Sequence, residues 1–418
     1  MRLLSPAAFL RALAMPTILE KIKDIELEMS RTQKNKATEG HLGVLKAKLA
    51  KLRSQLLEGS SAGAGGGKGE GFEVGRFGHA RVALIGFPSV GKSTLLTQLT
   101  GTDSESAAYE FTTLTCIPGI IHYKGAKIQM LDLPGIIEGA SQGKGRGRQV
   151  IAVAKSADLV LMVLDATKPH SHREILTREL EAVGLRLNQQ PPEIQVVRKK
   201  TGGITFTATC DLTHVDDRIV YQILHEYKIH NADVMFRGDH TVDELIDVIE
   251  GNRKYVPCLY VFNKVDMCCL EEVDEIARRE HTVPISCYLE LNLDGLLSRM
   301  WETMDLVRVY TKKRGGKPDF EEPVILSLQR GGIKLENFCT HLHRDLAKDM
   351  LYAWVWGASS RHTPQRCGKE HVLCDEDVVQ VVKKRKAAVG EAIGRFRQGP
   401  KDEPARIADR VKKAPLKS

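Results

Sequence analysis

The chain of 418 residues lacks the sequence features of membrane-spanning proteins and of proteins held together by disulfides. It contains no apolar run of about 18 residues, so we expect no membrane-spanning segment and no membrane partner. Its nine cysteines are odd in number and form no Cys-x-x-Cys pair, which argues against a zinc ribbon or a disulfide framework and favours a reducing compartment. The chain does have a hydrophobic content of 42%, which supports the cores of roughly two to four domains.

Acidic residues are also in short supply, because 53 Asp and Glu stand against 61 Lys and Arg, which leaves a net charge of +8. Residues 385–418 alone carry ten basic and four acidic residues, or +6 of that charge. Such a tail favours a polyanionic partner such as the ribosome or ribosomal RNA, since counterions are released from nucleic acid on contact. A solvated tail without a partner has the same composition, so both interpretations stay open.

The first residues of the chain are basic and apolar. Residues 1–15 contain two arginines, no acid and many small apolar residues, which is the composition of a mitochondrial transit peptide. The alternative is that Met15 begins the folded protein and that the stretch before it is an extension without structure, so we assign residues 1–16 no definite role.

Two helical patterns predict an N-terminal helical hairpin over residues 17–58. Thr17 and Glu20 have the spacing of a capping box, and apolar residues then recur at helical intervals. The two apolar stripes consist of Ile18, Ile22, Ile25 and Met29, followed by Leu42, Leu45, Leu49, Leu52 and Leu56. We assign these stripes to packing, and the glycine-rich residues 59–79 to a flexible linker.

From residue 80 onward, apolar strands alternate with helical patterns, which predicts an α/β fold with a parallel sheet over residues 80–304. The stretch between Asp165 and Asn263 is too long for one crossover helix, so we expect a small inserted α+β unit at about residues 177–239. Residues 305–384 show two strands, one helix and further strands, which predicts a ubiquitin-like β-grasp domain. Its helix is expected over residues 334–350, with one apolar face formed by Leu335, Phe338, Leu342 and Leu346.

A phosphate-binding loop, or P-loop, is the first motif with chemical content. Residues 86–93, GFPSVGKS, match Gly-x-x-x-x-Gly-Lys-Ser between a strand and a helix. The glycines let backbone N–H groups turn toward phosphate oxygens, Lys92 neutralises the β- and γ-phosphate charge, and Ser93 offers its hydroxyl to Mg²⁺. The residues expected to contact the nucleotide here are Gly86, Phe87, Pro88, Ser89, Val90, Gly91, Lys92, Ser93 and Thr94.

A second motif, Asp-x-x-Gly, follows the next long strand. Asp132 is expected at the strand end, where it can reach the Mg²⁺ shell, and the Gly135 N–H can meet the γ-phosphate. An ordinary turn has the same sequence, but the placement one strand after the P-loop favours the functional interpretation. The expected contacts are Asp132, Leu133, Pro134 and Gly135.

A third motif, Asn-Lys-x-Asp at residues 263–266, selects the base. Asp266 can accept hydrogen bonds from the N1–H and the exocyclic amine of guanine, an arrangement that adenine cannot satisfy. Asn263 braces the loop, and the stem of Lys264 can lie over the purine. Ser286 and Cys287, after the fifth strand, are expected to present backbone N–H groups to guanine O6.

A loop that senses the γ-phosphate is expected between the first two motifs, at residues 109–119, YEFTTLTCIPG; the alternative is an edge strand. Thr112 and Thr113 are its candidate Mg²⁺ ligands, and the expected nucleotide contacts are Phe111, Thr112, Thr113, Leu114 and Thr115. One residue type is missing, because Ile136 stands where Ras-like switches have a water-orienting glutamine. We therefore expect slow hydrolysis by the isolated chain, with the missing charge supplied from elsewhere.

These motifs resemble those of the developmentally regulated GTP-binding proteins, a branch of the Obg-type GTPases. The resemblance spans about residues 17–384 and rests on RTQKNKATEGHLGVLKAKLAKLR, GFPSVGKST, YEFTTLTCIPG, DLPGIIEGASQGKGRGRQVIAVA, EYKIHNADV and YTKKRGGKPDF. It implies an N-terminal helical domain, a G domain with an S5D2-like insertion, and a C-terminal TGS domain of β-grasp fold.

The resemblance also implies an activity, cofactors and partners. The expected activity is Mg²⁺-dependent hydrolysis of GTP to GDP and phosphate by a cytoplasmic switch, linked to ribosomes and translation and bound by a dedicated regulatory protein. The family pattern makes Thr113 the Mg²⁺ ligand beside Ser93. With Lys92 and Gly135 from the motifs above, Thr113 completes the set of residues predicted to be catalytic. Some related GTPases without the glutamine hold K⁺ partly through a P-loop asparagine, and Ser89 takes that position here.

Two alternatives stay open at this point. The first is a GTP-binding scaffold with negligible turnover, in which the nucleotide only orders the loops around it. The second is an organellar GTPase of the same type, because the N-terminal extension and the tail after Lys384 lie outside the family pattern.

Overall fold

The computed structural model of the protein describes residues 17–33, 35–36, 38–58, 78–100, 117–133, 153–168 and 171–384. The predictions for the N-terminal extension, for most of the linker and for the tail lie outside these residues. Two compact units are present, one running to Leu306 and including Ser327–Arg330, the other formed by Val307–Leu326 and the chain from Gly331. Within the described ranges, no helix is long and apolar enough to cross a membrane.

The first unit begins with two helices, α1 (Ile18–Arg31) and α2 (Glu39–Glu58). The capping box forms as predicted, since the Glu20 N–H donates to Thr17 Oγ1 at 3.3 Å and the Thr17 N–H donates to Glu20 Oε2 at 2.9 Å. In the first apolar stripe Ile22 is buried, whereas Ile18 is 38% exposed. The stripe therefore packs through its middle and leaves its beginning in solvent.

The first half of the G domain contains β1 (Ala80–Ile85), α3 (Lys92–Thr100), β2 (Ile117–Tyr123), β3 (Ala126–Asp132), β4 (Leu159–Asp165) and α4 (Ser171–Ala182). Strand β1 is parallel to both β3 and β4, and β2 runs antiparallel to β3 at the sheet edge. Strands β1 and β4 are buried along their whole length, as parallel strands covered on both faces must be. Residues 117–119 therefore belong to an edge strand and not to the loop predicted at 109–119.

The inserted unit follows a short strand, β5 (Leu185–Leu187). It consists of β6 (Ile194–Arg198), β7 (Ile204–Ala208), α5 (Asp217–Glu226), β8 (Ala232–Phe236) and α6 (Val242–Glu250). The central strand β8 is antiparallel to β6 and parallel to β7. Phe236 on β8 and Ile223 on α5 lie in one core, together with Leu245 and Ile249 on α6.

The insertion differs in its bounds from the predicted 177–239. Helix α4, which the prediction cut at residue 177, places Leu176 and Leu180 in the same core as β4, so it belongs to the G domain. Helix α6, which the prediction left out, packs its apolar face on the inserted sheet. The inserted layer thus begins at β6 and ends with α6.

Helix α2 packs on the insertion through small residues that the leucine stripe did not indicate. Ala47 and Ala50 lie in the core formed with α5 and α6. A Cβ atom placed on Gly43 would meet the side chains of Ile219 and Val242 at 3.5 Å, an ordinary packing distance, so this face of α2 lies against α5 and α6. Leu45, from the predicted stripe, is also buried.

The second half of the G domain contains β9 (Lys254–Val256), β10 (Cys258–Asn263), α7 (Leu270–Ala277), β11 (Thr282–Pro284) and α8 (Leu293–Thr303). Strand β9 pairs with β5, and β10 is parallel to both β4 and β11. The six-stranded sheet has the order β11-β10-β4-β1-β3-β2. Ligands of such sheets bind at the carboxyl ends of the parallel strands, and the sequence motifs follow β1, β3 and β10 at that edge.

The second unit contains β12 (Leu306–Lys312), β13 (Pro318–Ser327), α9 (Leu335–Leu342), α10 (Arg344–Asp349), β14 (Met350–Trp356), β15 (Gln365–Cys367) and β16 (Asp377–Lys383). Its sheet order is β13-β12-β16-β14-β15, with β12 parallel to β16. Leu335 and Phe338 on α9 are buried in its core, in agreement with the predicted β-grasp arrangement.

The single helix predicted over 334–350 is wrong, because the structure has two helices there. The backbone of His343 is extended, with φ −166° and ψ 135°, which ends α9. The His343 Nδ1 atom accepts a hydrogen bond from the Asp345 N–H at 3.2 Å and caps α10. Leu342, predicted on the buried face, is 42% exposed as a result of this break.

Candidate nucleotide-binding site

The P-loop connects β1 to α3 and requires glycine at two positions. A Cβ atom on Gly86 would lie 2.4 Å from the carbonyl oxygen of Val163 on β4, so only glycine fits beside that strand. Gly91 has a φ of +96°, and a Cβ there would lie 2.3 Å from Asn263 Nδ2. Ser89, at the tip of the loop, also has a positive φ, of 63°. These constraints produce the tight turn in which backbone N–H groups can face a phosphate.

Lys92 holds its ammonium group inside the P-loop. Its Nζ atom donates to the carbonyl oxygens of Gly86 and Phe87, each at 2.9 Å. Burial lowers the pKa of the Lys92 ammonium, against the attraction of Asp132, which favours the charged form. An ammonium group has three donors, so one remains for a phosphate oxygen after the two loop contacts.

Ser93 and Asp132 meet at the carboxyl end of β3. The Ser93 hydroxyl donates to Asp132 Oδ2 at 2.8 Å, and Asp132 is 6% exposed. The second carboxylate oxygen, Oδ1, is buried and has no hydrogen-bond partner among the described residues. A buried carboxylate oxygen is costly unless a donor or a cation neutralises it. A hydroxyl beside a carboxylate is an oxygen donor set that fits Mg²⁺.

Asn263 ties the P-loop to both base-recognition loops. It is buried at the end of β10, and its Nδ2 donates to the Val90 carbonyl oxygen at 2.9 Å. Its Oδ1 accepts from the Lys264 N–H at 2.8 Å and from the Cys287 N–H at 3.0 Å. Its predicted role as a brace is therefore visible in three hydrogen bonds, one within its own loop and one to each of two other segments.

Lys264 lies across the end of β4. Its backbone has a φ of +68°, and its Nζ atom donates to Asp165 Oδ2 at 2.7 Å. Burial alone would raise the pKa of Asp165, but hydrogen bonds from Lys264 and Thr167 hold that pKa below its usual value. Asp165 was not singled out as a site residue from the sequence, although its position at the end of a buried strand was a usable signal.

Asp266 is exposed and is oriented by a buried serine. The Ser286 hydroxyl donates to Asp266 Oδ1 at 2.5 Å, and Ser286 is fully buried. Asp266 is thereby fixed by its neighbour while its carboxylate stays open to a ligand. This is the arrangement that reading guanine through Asp266 requires.

The predicted role of the Ser286 and Cys287 backbone differs from the structure. The Ser286 N–H donates to the Leu291 carbonyl oxygen at 3.2 Å, and the Cys287 N–H donates to Asn263. Both groups are engaged within the protein, so Ser286 contributes through its side chain instead of its N–H. Gln98, which was not predicted, donates to the Cys287 carbonyl oxygen, and burial raises the pKa of the Cys287 thiol to about 11.

Several predicted contacts lie outside the described residues. These are Phe111, Thr112, Thr113, Leu114, Thr115, Pro134 and Gly135. Their roles stay predictions. The described part of the site brings the P-loop, Asp132, Asn263, Lys264, Asp266 and Ser286 together at one edge of the sheet.

Comparison with known proteins gives the chain its family. "Developmentally-regulated G-protein 1" of Arabidopsis thaliana is 66% identical over 400 residues, which cover 96% of this chain and 99% of that protein. "Developmentally-regulated GTP-binding protein 2" of Homo sapiens is 60% identical over 367 residues, covering 88% of this chain and 100% of that protein. The chain belongs to the developmentally regulated GTP-binding protein family.

Conserved domain descriptions agree with membership of that family. Residues 81–199 match the domain described as "50S ribosome-binding GTPase", residues 201–306 match the "C-terminal region of MMR_HSR1 domain", and residues 307–383 match the "TGS domain". Among solved structures, the YchF GTPase of Schizosaccharomyces pombe is 13% identical, with a TM-score of 0.42 over 74% of this chain and 99% of that chain. The P-loop G domain, the TGS domain and the GTPase class of this member of the family are thus confirmed.

Proposed function

We propose that this GTPase depends on Mg²⁺ and acts as a nucleotide switch on the ribosome during translation. The observation that carries the magnesium part is the Ser93–Asp132 pair, with its buried and unpartnered carboxylate oxygen. Ser93, together with Thr113 from the γ-phosphate loop, would hold the ion. Bound Mg²⁺ would supply positive charge that offsets the negative charge of the phosphates.

Hydrolysis requires little covalent chemistry from the protein. A water oxygen forms a bond to the γ-phosphorus, the bond from that phosphorus to the bridging oxygen breaks, and GDP, phosphate and a proton result. Lys92 stabilises charge on the phosphates, and the P-loop N–H groups orient them. No glutamine stands at position 136 to align the water, so we infer an intrinsic rate of about 10⁻⁴–10⁻² s⁻¹.

The charge that completes the site comes from outside the chain. A ribosomal contact is supported by the basic tail and by the description of the domain matched at residues 81–199. Potassium is a second source, with Ser89 at the tip of the P-loop as its nearest counterpart to the asparagine of related GTPases. A dedicated regulatory protein and a cytoplasmic location complete the proposal.

Release of phosphate over several turnovers tests this proposal. We expect slow release in sodium buffer with Mg²⁺, acceleration by potassium or by ribosomes, and no release with EDTA. Absence of turnover under every condition would favour the alternative, a GTP-binding scaffold. Localisation in cells of a protein tagged only at its C-terminus tests the organellar alternative, since the N-terminus then stays intact.

A matched pair of variants tests the magnesium site. Ser93→Ala removes the hydroxyl beside Asp132, and we expect the Mg²⁺ concentration needed for half-maximal hydrolysis to rise by about tenfold or more. Thr97→Ala is the control, because the Thr97 hydroxyl donates only to the Ser93 carbonyl oxygen within the same helix. An unchanged Mg²⁺ requirement in Ser93→Ala would contradict the assignment.

A further inference from the structure

Large apolar side chains are concentrated on the surface beside the base-recognition loops. We call these five residues the base-loop patch: Met267 at 71% exposure, Leu270 at 83%, Tyr288 at 86%, Leu289 at 52% and Leu291 at 47%. Single exposed apolar residues are common in folded proteins. A group of five within two adjoining loops is not, and such groups mark interaction surfaces.

The two halves of the patch are joined by Ser286. The Val265 N–H donates to the Ile285 carbonyl oxygen at 3.3 Å, which aligns the two loops. The Ser286 hydroxyl donates to Asp266 and accepts from the Leu289 N–H at 3.2 Å. Ser286 and Leu291 exchange two backbone hydrogen bonds, at 3.2 and 2.9 Å. Any contact that fixes the Tyr288 loop therefore also fixes the carboxylate that reads guanine.

Carboxylates without a cationic partner among the described residues lie beside the patch residues in the chain. On α7, Asp274 and Glu275 pair with the arginines four residues later. The side chains of Glu271, Glu272, Glu290 and Asp294 are exposed, and none of them forms an ion pair among the described residues. Hydrogen bonds from its own backbone N–H and from Cys269 lower the pKa of Glu271, so it is charged at neutral pH. The rim of the base-loop patch is thus acidic.

We propose that the base-loop patch docks a basic amphipathic segment of a partner protein and that its occupancy slows release of guanine nucleotide. The apolar face of the segment covers the patch, and its lysines or arginines meet the acidic rim. The same rim repels RNA phosphates and anionic lipid, so a protein is the occupant. The coupling between docking and nucleotide binding is reciprocal. If docking strengthens GDP binding by some factor, bound GDP must strengthen docking by the same factor. This inference uses GTP binding only and does not depend on the ribosomal role.

Synthetic peptides test the inference on the full chain loaded with fluorescent GDP. One peptide is an amphipathic helix with leucines on one face and lysines on the other, and its counterpart has glutamates in place of the lysines. We expect the lysine peptide to bind and to slow GDP release about tenfold, and the glutamate peptide to do neither. The double variant Leu270→Ser/Tyr288→Ser should bind the lysine peptide at least about tenfold more weakly.

Two further variants distinguish docking at the patch from nonspecific hydrophobic binding. Ile175→Ser on α4 removes an apolar side chain that is 43% exposed and lies far along the chain from the patch. This variant should bind the lysine peptide as tightly as the unmodified protein does. The charge reversal Glu290→Lys/Asp294→Lys should weaken the lysine peptide and admit the glutamate peptide, without removing any apolar residue. Thermal unfolding of each variant checks that the fold is retained.

Several results would overturn the inference. Equal binding of both peptides, equal binding to the patch variant, or unchanged GDP release with bound peptide would each do so. Peptides of residues 1–16 and 385–418 are included because both segments are basic. If either peptide binds more tightly than the lysine peptide, the occupant of the patch is a segment of this chain and not a partner protein. If the protein binds anionic vesicles and the patch variant does not, the occupant is a membrane.

Discussion

The base-recognition end and the phosphate end of the nucleotide site satisfy their polar groups to different degrees. At the base end, Asn263 uses both its amide oxygen and its amide nitrogen in contacts with other loops, and Ser286 fixes Asp266. At the phosphate end, Lys92 retains one donor and Asp132 Oδ1 is buried without a partner among the described residues.

This difference indicates that the fold organises the base end and that the ligand completes the phosphate end. The base end is organised by the fold itself, so its specificity is present before the nucleotide arrives. Among the described residues, the phosphate end keeps a buried carboxylate oxygen and a lysine donor that a ligand can satisfy, which is a source of binding energy. Changes at the base end should therefore lower stability or base selectivity, and changes at the phosphate end should act on the metal and the phosphates.

The largest effect is expected for Asp266→Asn, which tests base recognition. The Asp266 carboxylate accepts hydrogen bonds from two donors of guanine, whereas the amide of asparagine both accepts and donates. Preference should therefore move from guanine toward xanthine nucleotides. Each lost charge-assisted hydrogen bond is worth about 1.5–3 kcal/mol, so the free energy of GTP binding should weaken by several kcal/mol. Competition of GTP and XTP for the site measures this change, and an unchanged GTP affinity would remove Asp266 from the base contacts.

A smaller effect on binding, but a clear one on folding, is expected for Asn263→Ala. The variant loses three hydrogen bonds at a buried position, so the free energy of unfolding should fall by about 2–4 kcal/mol, with weaker GTP binding. Denaturant unfolding and nucleotide titration measure the two quantities.

Asn188→Ala provides the matched control for that variant. Asn188 binds the backbone of Cys258, at the first residue of β10, through two hydrogen bonds of 2.9 and 2.6 Å, whereas Asn263 is the last residue of the same strand. The control should lower stability and leave GTP affinity unchanged. Equal losses of GTP affinity in both variants would mean that strand β10, and not the Asn263 contacts, determines binding.

The ion pair between Lys264 and Asp165 should give a modest effect that depends on pH. The pKa of Asp165 is lowered in the folded state, so its charge stabilises the fold above the ordinary value of 3.8 and this contribution is lost as pH falls through the lowered value. Lys264→Gln should reduce the free energy of unfolding by about 1 kcal/mol at pH 7, because Lys264 is partly exposed. The difference between variant and unmodified protein should shrink below about pH 4. A difference that is constant from pH 7 to pH 3 would contradict this origin.

The motifs at the site could be predicted from sequence because each is local. A P-loop needs glycines, a lysine and a hydroxyl within eight residues, and the strand before it is a continuous apolar run. Strand ends then locate Asp132 and Asn263 at one edge of the sheet. Phosphate and base chemistry restrict the residue types so strongly that the motifs locate the site in the sequence, and the role of each residue toward the nucleotide stays a prediction.

Other features could not be predicted because they depend on contacts between distant residues. The end of an apolar run marks Asp165 in the sequence, but its pairing with Lys264 depends on β4 and β10 being neighbours in the sheet. The limits of the insertion depend on which core receives α4 and α6, and their apolar stripes alone do not show it. The break at His343 escaped prediction because leucines recur at helical spacing on both sides of it. The hydrogen bond from the Cys287 N–H to Asn263 also joins residues that are distant in the chain, so the sequence does not show that this N–H is engaged.

The smallest effect is expected for Ile136→Ala, which tests the phosphate end of the comparison. Ile136 lies outside the described residues, and the expectation rests on its chemistry: an aliphatic side chain neither accepts from water nor donates to phosphate. If Mg²⁺, Lys92 and an external charge perform hydrolysis, the rate at saturating GTP should stay within about twofold of the unmodified protein, with and without potassium. Ile120→Ala, on the edge strand β2, is a control for the loss of the same atoms at a site that is 36% exposed. A loss of about tenfold or more in Ile136→Ala alone, at unchanged GTP affinity, would show that this side chain helps to exclude or align water in the transition state. The phosphate end would then hold more of its catalytic set within the chain than its unpartnered groups indicate.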